Sequence, residues 1–313
     1  MNNRISRIAP SPTGALHIGN ARTFLINWAL ARKQGWRLVM RMEDLDGPRI
    51  KKESADQAID ILTWLGIDFD GKILFQSHDF KPYRDAMRVL QQQGLIYQCR
   101  LSRKQVKDAA AAPHLGQHEI RYSPELRPND RAAFVFDEEQ TNYRFLVTEE
   151  AISISDEFAG QAIFKPFDEV GDFVIWTKSG TPAYQLAVVV DDARQGVTDV
   201  VRGDDLLSSA ARQELIYKAL GLKAPKWWHL PLVIGEDGRR LAKRHGDTRL
   251  VTYKKEGVSA ERVIGVLAAL SGICETPQEM SAAQFKDAFE IEDLNSEPVV
   301  FGEELRKWLV DSK

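Results

Sequence analysis

Short apolar runs alternate with longer stretches of helical spacing over the first hundred residues. The runs that predict strands are Arg4–Ala9, Trp36–Met42 and Leu95–Cys99, of which the second has a polar interruption. The stretches whose apolar side chains recur every three or four residues are Ile18–Gln34, Lys52–Leu65 and Pro82–Gln93. Gly35 follows the first of them, where a helix C-cap is expected. This alternation predicts a parallel, doubly wound α/β sheet.

The alternation stops after Cys99. Residues 100–170 contain an alanine run, several prolines and alternating segments that favour strands, Ala132–Phe136 and Tyr143–Val147. We interpret this region as an insertion between two halves of the sheet. The alternation resumes with Asp172–Trp176 and Gln185–Val190. Tyr184, taken alone, fits a strand tyrosine packed on the sheet.

The remaining pattern predicts a strand, a helix and a helical tail. In chain order these elements are Thr198–Arg202, Leu206–Leu220, Ser259–Leu270 and Ser281–Phe289. Ser281 and Gln284 have the spacing of a capping box, which predicts that the last helix begins there.

Composition limits the classes of protein that fit. The chain has 313 residues, 43% of them hydrophobic and 28% charged, as in a folded globular protein. No apolar stretch reaches the length of about 18 residues that a membrane helix needs, and the N-terminus lacks the apolar region of a signal peptide. The net charge of −3 excludes a strongly basic coat for nucleic acid, but not a local basic patch. Two cysteines, Cys99 and Cys274, exclude a disulfide framework and fit a reducing compartment. Together with the lack of a membrane helix and a signal peptide, they predict a cytoplasmic protein without a membrane partner.

The first candidate site, His17-Ile18-Gly19-Asn20, follows the first strand and opens the first helix. Unpaired amides and the partial positive charge of a helix N-terminus suit phosphate. Gly19 lets a ligand approach the backbone, and His17 can donate a hydrogen bond to a phosphate oxygen. The alternative is a strand-to-helix turn with a surface histidine, and this short motif alone does not decide between the two.

The second candidate is the basic run Gly238–Asp247, which includes Arg239, Arg240, Lys243 and Arg244. Taken alone, such a run fits a solvated surface. The functional interpretation is a mobile cationic loop that neutralises the charge developing on transferring phosphates.

The third candidate, Arg41–Asp46, lies at the carboxyl end of a predicted strand. Ligands of open α/β sheets bind outside those ends. Glu43 can pair with a substrate ammonium group, whereas Asp44 and Asp46 fit capping or solvated residues.

The order and spacing of these segments resemble those of class I aminoacyl-tRNA synthetases. His17–Asn20 resembles the HIGH signature, and Arg240–Arg244 resembles the KMSKS signature with Ala242 in the place of a serine. The runs RIAPSPTGALHIGNART, RMEDLDGPR and KRHGD are similar to the glutamyl-tRNA synthetase branch. The resemblance covers about residues 4–250 and implies a Rossmann-like catalytic domain split by an insertion.

Two features favour a short paralogue family within that branch, the glutamyl-Q tRNA(Asp) synthetases. The segments Tyr184–Asp192 and Arg202–Leu207 resemble that family, and the chain ends too soon after the basic loop to include an anticodon-binding domain. The run ARTFLINW, by contrast, is closer to the full-length enzymes.

The resemblance implies a division of the chain into four segments. Residues 1–98 and 171–225 form the two halves of the catalytic domain, and residues 99–170 form the connective insertion. Residues 226–313 carry the KMSKS-type loop and a short helical C-terminal region.

The resemblance also implies a two-step reaction on L-glutamate, ATP with Mg²⁺, and tRNA(Asp) carrying queuosine. Glutamate attacks the α-phosphate of ATP to give glutamyl-adenylate and pyrophosphate, and a queuosine hydroxyl at the wobble position then takes the glutamyl group. The implied glutamate ligands are Arg7 and Tyr184 at the γ-carboxylate with Ser11 nearby, Glu43 at the ammonium group and Arg202 on the α-carboxylate side. The implied ATP ligands are His17, Gly19, Lys243 and Arg244, of which His17, Gly19 and Lys243 form the catalytic set.

One departure from the paralogue family concerns zinc. That family often carries a site built from Cys-x-Cys and Tyr-x-x-x-Cys, of which Cys99 and Tyr122 remain, whereas Leu101 and Leu126 replace the other cysteines. One thiolate and one phenol do not make a tetrahedral zinc site. We therefore predict that zinc is absent and that the two leucines pack together in its place. The histidines of this region fit ordinary surface side chains: His114 and His118.

Three alternatives stay open. The chain is compatible with a truncated or discriminating glutamyl-tRNA synthetase that charges a tRNA 3′ end, and with a non-catalytic paralogue that binds RNA. A nucleotidyltransferase with the same H-x-G element is the third, and glutamate dependence separates it from the others. Candidate tRNA contacts are Lys243, Arg244 and Arg249, which we expect to be salt-sensitive.

Overall fold

A computed structural model describes residues 3–45, 52–102, 104–106, 121–131, 134–137, 141–241 and 247–311. The strands are β1 (Ile5–Ile8), β2 (Arg37–Met42), β3 (Leu74–Phe75), β4 (Ile96–Cys99), β5 (Asn142–Phe145), β6 (Ile152–Asp156), β7 (Gly160–Phe164), β8 (Phe173–Trp176), β9 (Asp199–Gly203), β10 (Lys226–Leu230), β11 (Val233–Ile234) and β12 (Val299–Val300). The helices are α1 (Ile18–Gln34), α2 (Lys52–Trp64), α3 (Lys81–Gln92), α4 (Pro166–Glu169), α5 (Tyr184–Gln195), α6 (Leu207–Ala219), α7 (Leu250–Lys255), α8 (Ala260–Leu270), α9 (Ala282–Ala288) and α10 (Glu303–Val310).

The main sheet has the strand order β3-β2-β1-β9-β10-β6-β7. Its neighbouring strands run parallel except at the edge, where β7 is antiparallel to β6. On β1, Ser6 faces Leu38 of β2 on one side and Asp199 of β9 on the other. The chain therefore winds away from β1 in both directions, and the crevice between the carboxyl ends of β1 and β9 is where ligands of such sheets bind.

Helix α1 is covered on both sides. One side lies on the sheet, and the C-terminal helices α8 and α9 pack on the other. Ile18, Leu25, Trp28 and Ala31 are all buried, although they do not share one narrow stripe. The C-terminal helices thus belong to the same core as the first half of the sheet and hold α1 in place.

Several local predictions are confirmed. Helix α1 spans the predicted residues, and Gly35 ends it in the left-handed conformation with φ 67°. Ser281 and Gln284 form the capping box that opens α9. Among the described residues, no helix is long and apolar enough to cross a membrane.

The prediction that the parallel sheet includes Leu95–Cys99 and Asp172–Trp176 is wrong. Strands β4 and β8 instead flank β5 in a separate antiparallel sheet. Strands β6 and β7, which lie inside the predicted insertion, join the main sheet next to β10. Pairing partners far apart in sequence decided this, so strand propensity alone did not reveal it.

The strand position considered for Tyr184 taken alone is wrong, and so is one further strand prediction. Tyr184 is the first residue of helix α5, whose residues Gln185–Asp192 are all buried. Burial on every side leaves no apolar stripe, and the run of valines then has the composition of a strand. Within the predicted strand Ala132–Phe136, the described residues 134–136 have no strand pairing.

Candidate active site

A cavity of about 640 Å³ lies outside the carboxyl ends of the central strands. It is lined by the seven predicted site residues that fall in the described part of the chain, namely Arg7, Ser11, His17, Gly19, Glu43, Tyr184 and Arg202. Two further predicted residues, Lys243 and Arg244, lie outside the described residues. Residues separated by nearly two hundred positions thus meet at one crevice.

His17 caps helix α1. Its Nδ1 accepts hydrogen bonds from the amides of Gly19 at 3.1 Å and Asn20 at 3.4 Å, and the Ile18 amide donates to the Thr248 carbonyl. The expectation that these amides are free for phosphate is therefore wrong. Burial lowers the pKa of His17, and the nearby Arg240 guanidinium lowers it further. An accepting Nδ1 places the proton of the neutral ring on Nε2, which leaves Nε2–H as the donor for a phosphate oxygen.

Gly19 makes room for this cap. A Cβ atom at this position would lie 3.1 Å from Cε1 and 3.2 Å from Nδ1 of the His17 ring. The absence of a side chain therefore serves the histidine as well as any ligand in the cavity.

A buried ion network supports one end of the cavity. Arg41 is fully buried, and its guanidinium donates to Asp192 Oδ1 at 2.6 Å and to Glu43 Oε1 at 3.1 Å. Arg7 lies on the same carboxylate, with Nε 3.7 Å from Asp192 Oδ1, and donates from Nη1 to the Val201 carbonyl at 3.0 Å. Burial raises the pKa of Glu43, although the charges of Arg41 and Arg7 oppose this. The network holds Arg7 and Glu43 beside each other at the cavity wall.

Tyr184 and Ser11 are more open to solvent than these ions. Tyr184 is 39% exposed at the start of α5, and its position there follows from the turn that ends β8. Ser11 lies 3.1 Å from the Thr13 hydroxyl on the exposed turn after β1. Both residues line the cavity.

Arg202 is held from three sides at the end of β9. Its Nε donates to His229 Nε2 at 2.9 Å, its Nη1 to Gln213 Oε1 at 2.9 Å and its Nη2 to the Leu206 carbonyl at 3.2 Å. The guanidinium carbon also lies 4.8 Å from the centre of the Trp227 ring. A fixed, 5% exposed guanidinium at the cavity wall is suited to a carboxylate of defined position.

The basic loop approaches the cavity from the other side. Arg240 lines the cavity and forms an ion pair with Asp205 at 2.8 Å. After residues 242–246, the chain returns against the first motif, because the Leu250 amide donates to the Leu16 carbonyl. Both ends of the loop are thereby placed near His17.

In the third motif, Asp44 has one of the two roles predicted for it. Its carboxylate accepts from the Ser77 amide at 2.9 Å and the Ser77 hydroxyl at 2.6 Å, which is a capping role. Asp46 lies outside the described residues.

Sequence reasoning missed the residues that support the site from behind. These are Arg41, Asp192, Gln213, His229 and Asp156. A signal existed for two of them, since Arg41 is the polar interruption of β2 and His229 is a polar residue in the apolar strand β10. Their partners lie on distant elements, so no spacing rule could connect them.

An apolar cluster occupies the region where the related family often has a zinc site. Leu101 and Leu126 pack against the buried Cys99 and Tyr122. Cys99 Sγ lies 3.6 Å from the Tyr122 hydroxyl, and Arg144 Nε donates to the same sulfur at 3.4 Å. A guanidinium beside the thiol repels a cation, so the described residues do not fit a zinc ion. His114 and His118 lie outside the described residues, and the absence of zinc stays a prediction.

Comparison with known proteins agrees with this geometry. Residues 5–306 match the family of tRNA synthetases class I (E and Q), catalytic domain. The chain is 43% identical over 306 residues to a glutamyl-Q tRNA(Asp) synthetase of Symbiobacterium thermophilum, with 94% of each chain covered. It is 42% identical to the enzyme of the same name from Rhodopirellula baltica, covering 88% of this chain and 87% of that one.

A solved structure has the same fold. The crystal structure of glutamate-tRNA synthetase from Elizabethkingia anophelis superposes with a TM-score of 0.81 at 23% identity, covering 98% of this chain and 70% of that one. The predicted fold class, a class I synthetase sheet of α/β type, is thereby confirmed. The chain belongs to the family of class I tRNA synthetases (E and Q), and within it to the group of the glutamyl-Q tRNA(Asp) synthetases.

Proposed function

We propose that this protein activates L-glutamate with ATP and transfers the glutamyl group to queuosine in tRNA(Asp). The observation that carries the proposal is the convergence of Arg7, Glu43, Tyr184 and Arg202 with the His17 motif on one cavity. Its volume of about 640 Å³ is within the usual range for small-molecule sites, roughly 300–1,000 Å³.

The charges at the cavity wall mirror those of glutamate. Arg7 and Arg202 supply two guanidinium groups for two carboxylates, and Glu43 supplies a carboxylate for the ammonium group. We assign Arg7 with Tyr184 to the γ-carboxylate and Arg202 to the α-carboxylate side, with Ser11 close by. An uncharged amide in place of the γ-carboxylate would offer Arg7 no second anionic partner beside Asp192, which favours glutamate over glutamine.

The chemistry requires positioning more than proton transfer. A carboxylate oxygen of glutamate attacks the α-phosphorus of ATP, the bond to the bridging oxygen breaks, and pyrophosphate leaves. A queuosine hydroxyl then attacks the carbonyl carbon of the mixed anhydride, and AMP leaves. We assign Nε2–H of His17 and the basic-loop side chains Lys243 and Arg244 to the negative charge on the phosphates, beside the backbone at Gly19.

Magnesium enters this scheme with the nucleotide. Among the described residues, no three His, Cys, Asp or Glu side chains form a cluster that would hold a metal ion. We therefore treat MgATP as the substrate, with the ion held by phosphate oxygens. We place the reaction in the cytoplasm, where ATP and tRNA are found.

The decisive test is ATP–pyrophosphate exchange with and without glutamate, and with and without tRNA. We expect exchange that requires glutamate and proceeds without tRNA, followed by glutamyl transfer to tRNA(Asp) that persists after the 3′-terminal adenosine is removed. Exchange only with tRNA, and product that removal of this adenosine abolishes, would instead indicate charging of a tRNA 3′ end. No exchange under any condition would indicate a binding paralogue or a different substrate.

A further inference from the structure

A buried row of three side chains crosses the main sheet behind the cavity. Arg202 of β9, His229 of β10 and Asp156 of β6 are between 1% and 6% exposed. His229 is the direct cross-strand partner of Arg202. Its Nε2 accepts from Arg202 Nε at 2.9 Å, and its Nδ1 lies 2.5 Å from Asp156 Oδ2.

The hydrogen bonds define the protonation state of His229. Arginine has donors only, so Nε2 must accept, and the ring proton must lie on Nδ1 and point to Asp156. A protonated ring would offer no acceptor and would place a second cation against Arg202. Burial also lowers the pKa of His229, although the hydrogen bond to Asp156 acts in the other direction.

Asp156 is itself fixed by the backbone. Its Oδ1 accepts from the amides of Phe158 at 2.9 Å and Ala159 at 2.7 Å in the turn between β6 and β7. The His229 amide also donates to this carboxylate, at 3.1 Å. The row therefore ends on a rigid hairpin that belongs to the predicted insertion.

We infer that His229 and Asp156 are positioning residues that hold Arg202 in the orientation required to bind glutamate. This inference rests on the proposed function. Neutral His229 fixes the direction of the Arg202 fork through Nε, while Gln213 and the Leu206 carbonyl take two further donors. The guanidinium of Arg202 is aligned before substrate binds. Binding therefore loses little free energy to the ordering of this side chain.

Two amide variants separate the two bonds of His229. The amide of glutamine ends near the position of Nε2 and can accept from Arg202, whereas the amide of asparagine ends near Nδ1 and reaches only Asp156. We expect His229→Gln to keep the glutamate KM within about threefold of the native value, and His229→Asn to raise it by roughly tenfold or more. The ATP KM should stay unchanged in both, because the His17 motif is untouched.

A pH profile adds a readout that a structural role would not move. The charged groups facing His229 are Arg202, Asp156 and Arg7. Because the pKa of His229 is lowered, we expect the glutamate KM of the native protein to rise only at a pH below the ordinary histidine pKa of 6.5, with the step missing in His229→Gln. Glu43 titrates in both proteins, so the difference between their profiles belongs to His229.

The experiment is pyrophosphate exchange at varied glutamate, ATP and pH, with thermal unfolding of each variant and His78→Gln as the matched exposed control. A folded His229→Asn with native glutamate KM would overturn the inference, as would equal rises in the KM of both substrates or a native pH profile in His229→Gln. If the Asn variant does not fold, the Gln variant and the pH profile still decide. Lack of glutamate-dependent exchange in the native protein would instead overturn the proposed function.

Discussion

Arg41 illustrates how single buried charges organise this site. Its guanidinium is inaccessible to solvent and is compensated by Asp192 and Glu43. Removing one partner of such a buried pair typically costs about 3–5 kcal/mol, because the other charge is left uncompensated. Both bonds from Arg41 to Glu43 end on Oε1, so the orientation of this carboxylate at the cavity wall depends on the network.

At the residue scale, we predict that Arg7→Lys raises the glutamate KM by roughly tenfold to a hundredfold. A lysine cannot form the two parallel hydrogen bonds that a guanidinium gives to a carboxylate. The ATP KM should not change. Arg4→Lys, immediately before the same strand, alters a structural pair with Asp199 outside the cavity and is the control. Equal glutamate KM values in Arg7→Lys and the native protein would contradict the assignment.

A second residue-scale prediction concerns Glu43. Only the ionised form attracts an ammonium group, and burial raises the pKa of this carboxyl above 4.5. The glutamate KM should therefore rise as the pH falls from neutral toward that value. Glu43→Gln should have a high KM at neutral pH and a flatter profile, measured by pyrophosphate exchange. A pH-dependent KM of native shape in Glu43→Gln would show that another group binds the ammonium.

At the scale of elements, the side chain that caps helix α1, His17, is also the one that we propose contacts the phosphates. His17 satisfies two orphan amides with Nδ1 and leaves Nε2 toward the cavity. The C-terminal helices α8 and α9 fix the other side of α1. The position of the His17 ring at the cavity thus depends on packing some distance from it.

Asparagine and alanine variants of His17 should separate the two roles. Asparagine is a good N-cap, whereas alanine loses about 1 kcal/mol of stability. We expect His17→Asn to unfold near the native temperature and His17→Ala to unfold earlier. Both should lose at least tenfold in exchange rate, because neither has the Nε2 donor. Native activity in His17→Asn would mean that the capping bond is the only contribution.

Two leucines of the predicted insertion lead to a prediction about zinc. Leu101 and Leu126 occupy positions where the related family often has cysteines, and they join the apolar cluster around Cys99. We expect metal analysis of the purified protein to find no stoichiometric zinc, and chelation to leave the thermal midpoint unchanged. The double variant Leu101→Cys, Leu126→Cys is the positive control and should gain zinc affinity. One zinc per native chain would contradict the prediction.

At the scale of the whole molecule, the site exists because two distant halves of the chain meet at β1 and β9. Strand β10 and the β6–β7 hairpin extend the same sheet beyond β9. A second core on the other face packs α3, α5 and α6 against the sheet. The rigid sheet therefore sets the separation between Arg7 and Arg202.

The overall charge gives a prediction for tRNA. With a net charge of −3, attraction to nucleic acid must come from a local patch such as the basic loop and Arg249. Raising salt from about 50 to 200 mM should weaken tRNA binding steeply, whereas tRNA-independent exchange should change little. A salt-insensitive KM for tRNA would contradict a mainly electrostatic contact.

The amino-acid sequence by itself determined the features that depend on neighbouring residues. Gly35 ends α1, and Ser281 with Gln284 opens α9, because caps are made by side chains and backbone within one turn. Residues that line the cavity were also predictable, since Arg7, Glu43 and Arg202 lie in contiguous motifs.

The tertiary structure alone decided which distant residues support those motifs. Strands β4 and β8 left the parallel sheet, and Tyr184 began a helix, because pairing and burial on all sides outweighed local propensity. The contact between Arg202 and His229 follows from the register of β9 and β10. Register is a property of two packed strands, so the sequence of either strand could not specify it.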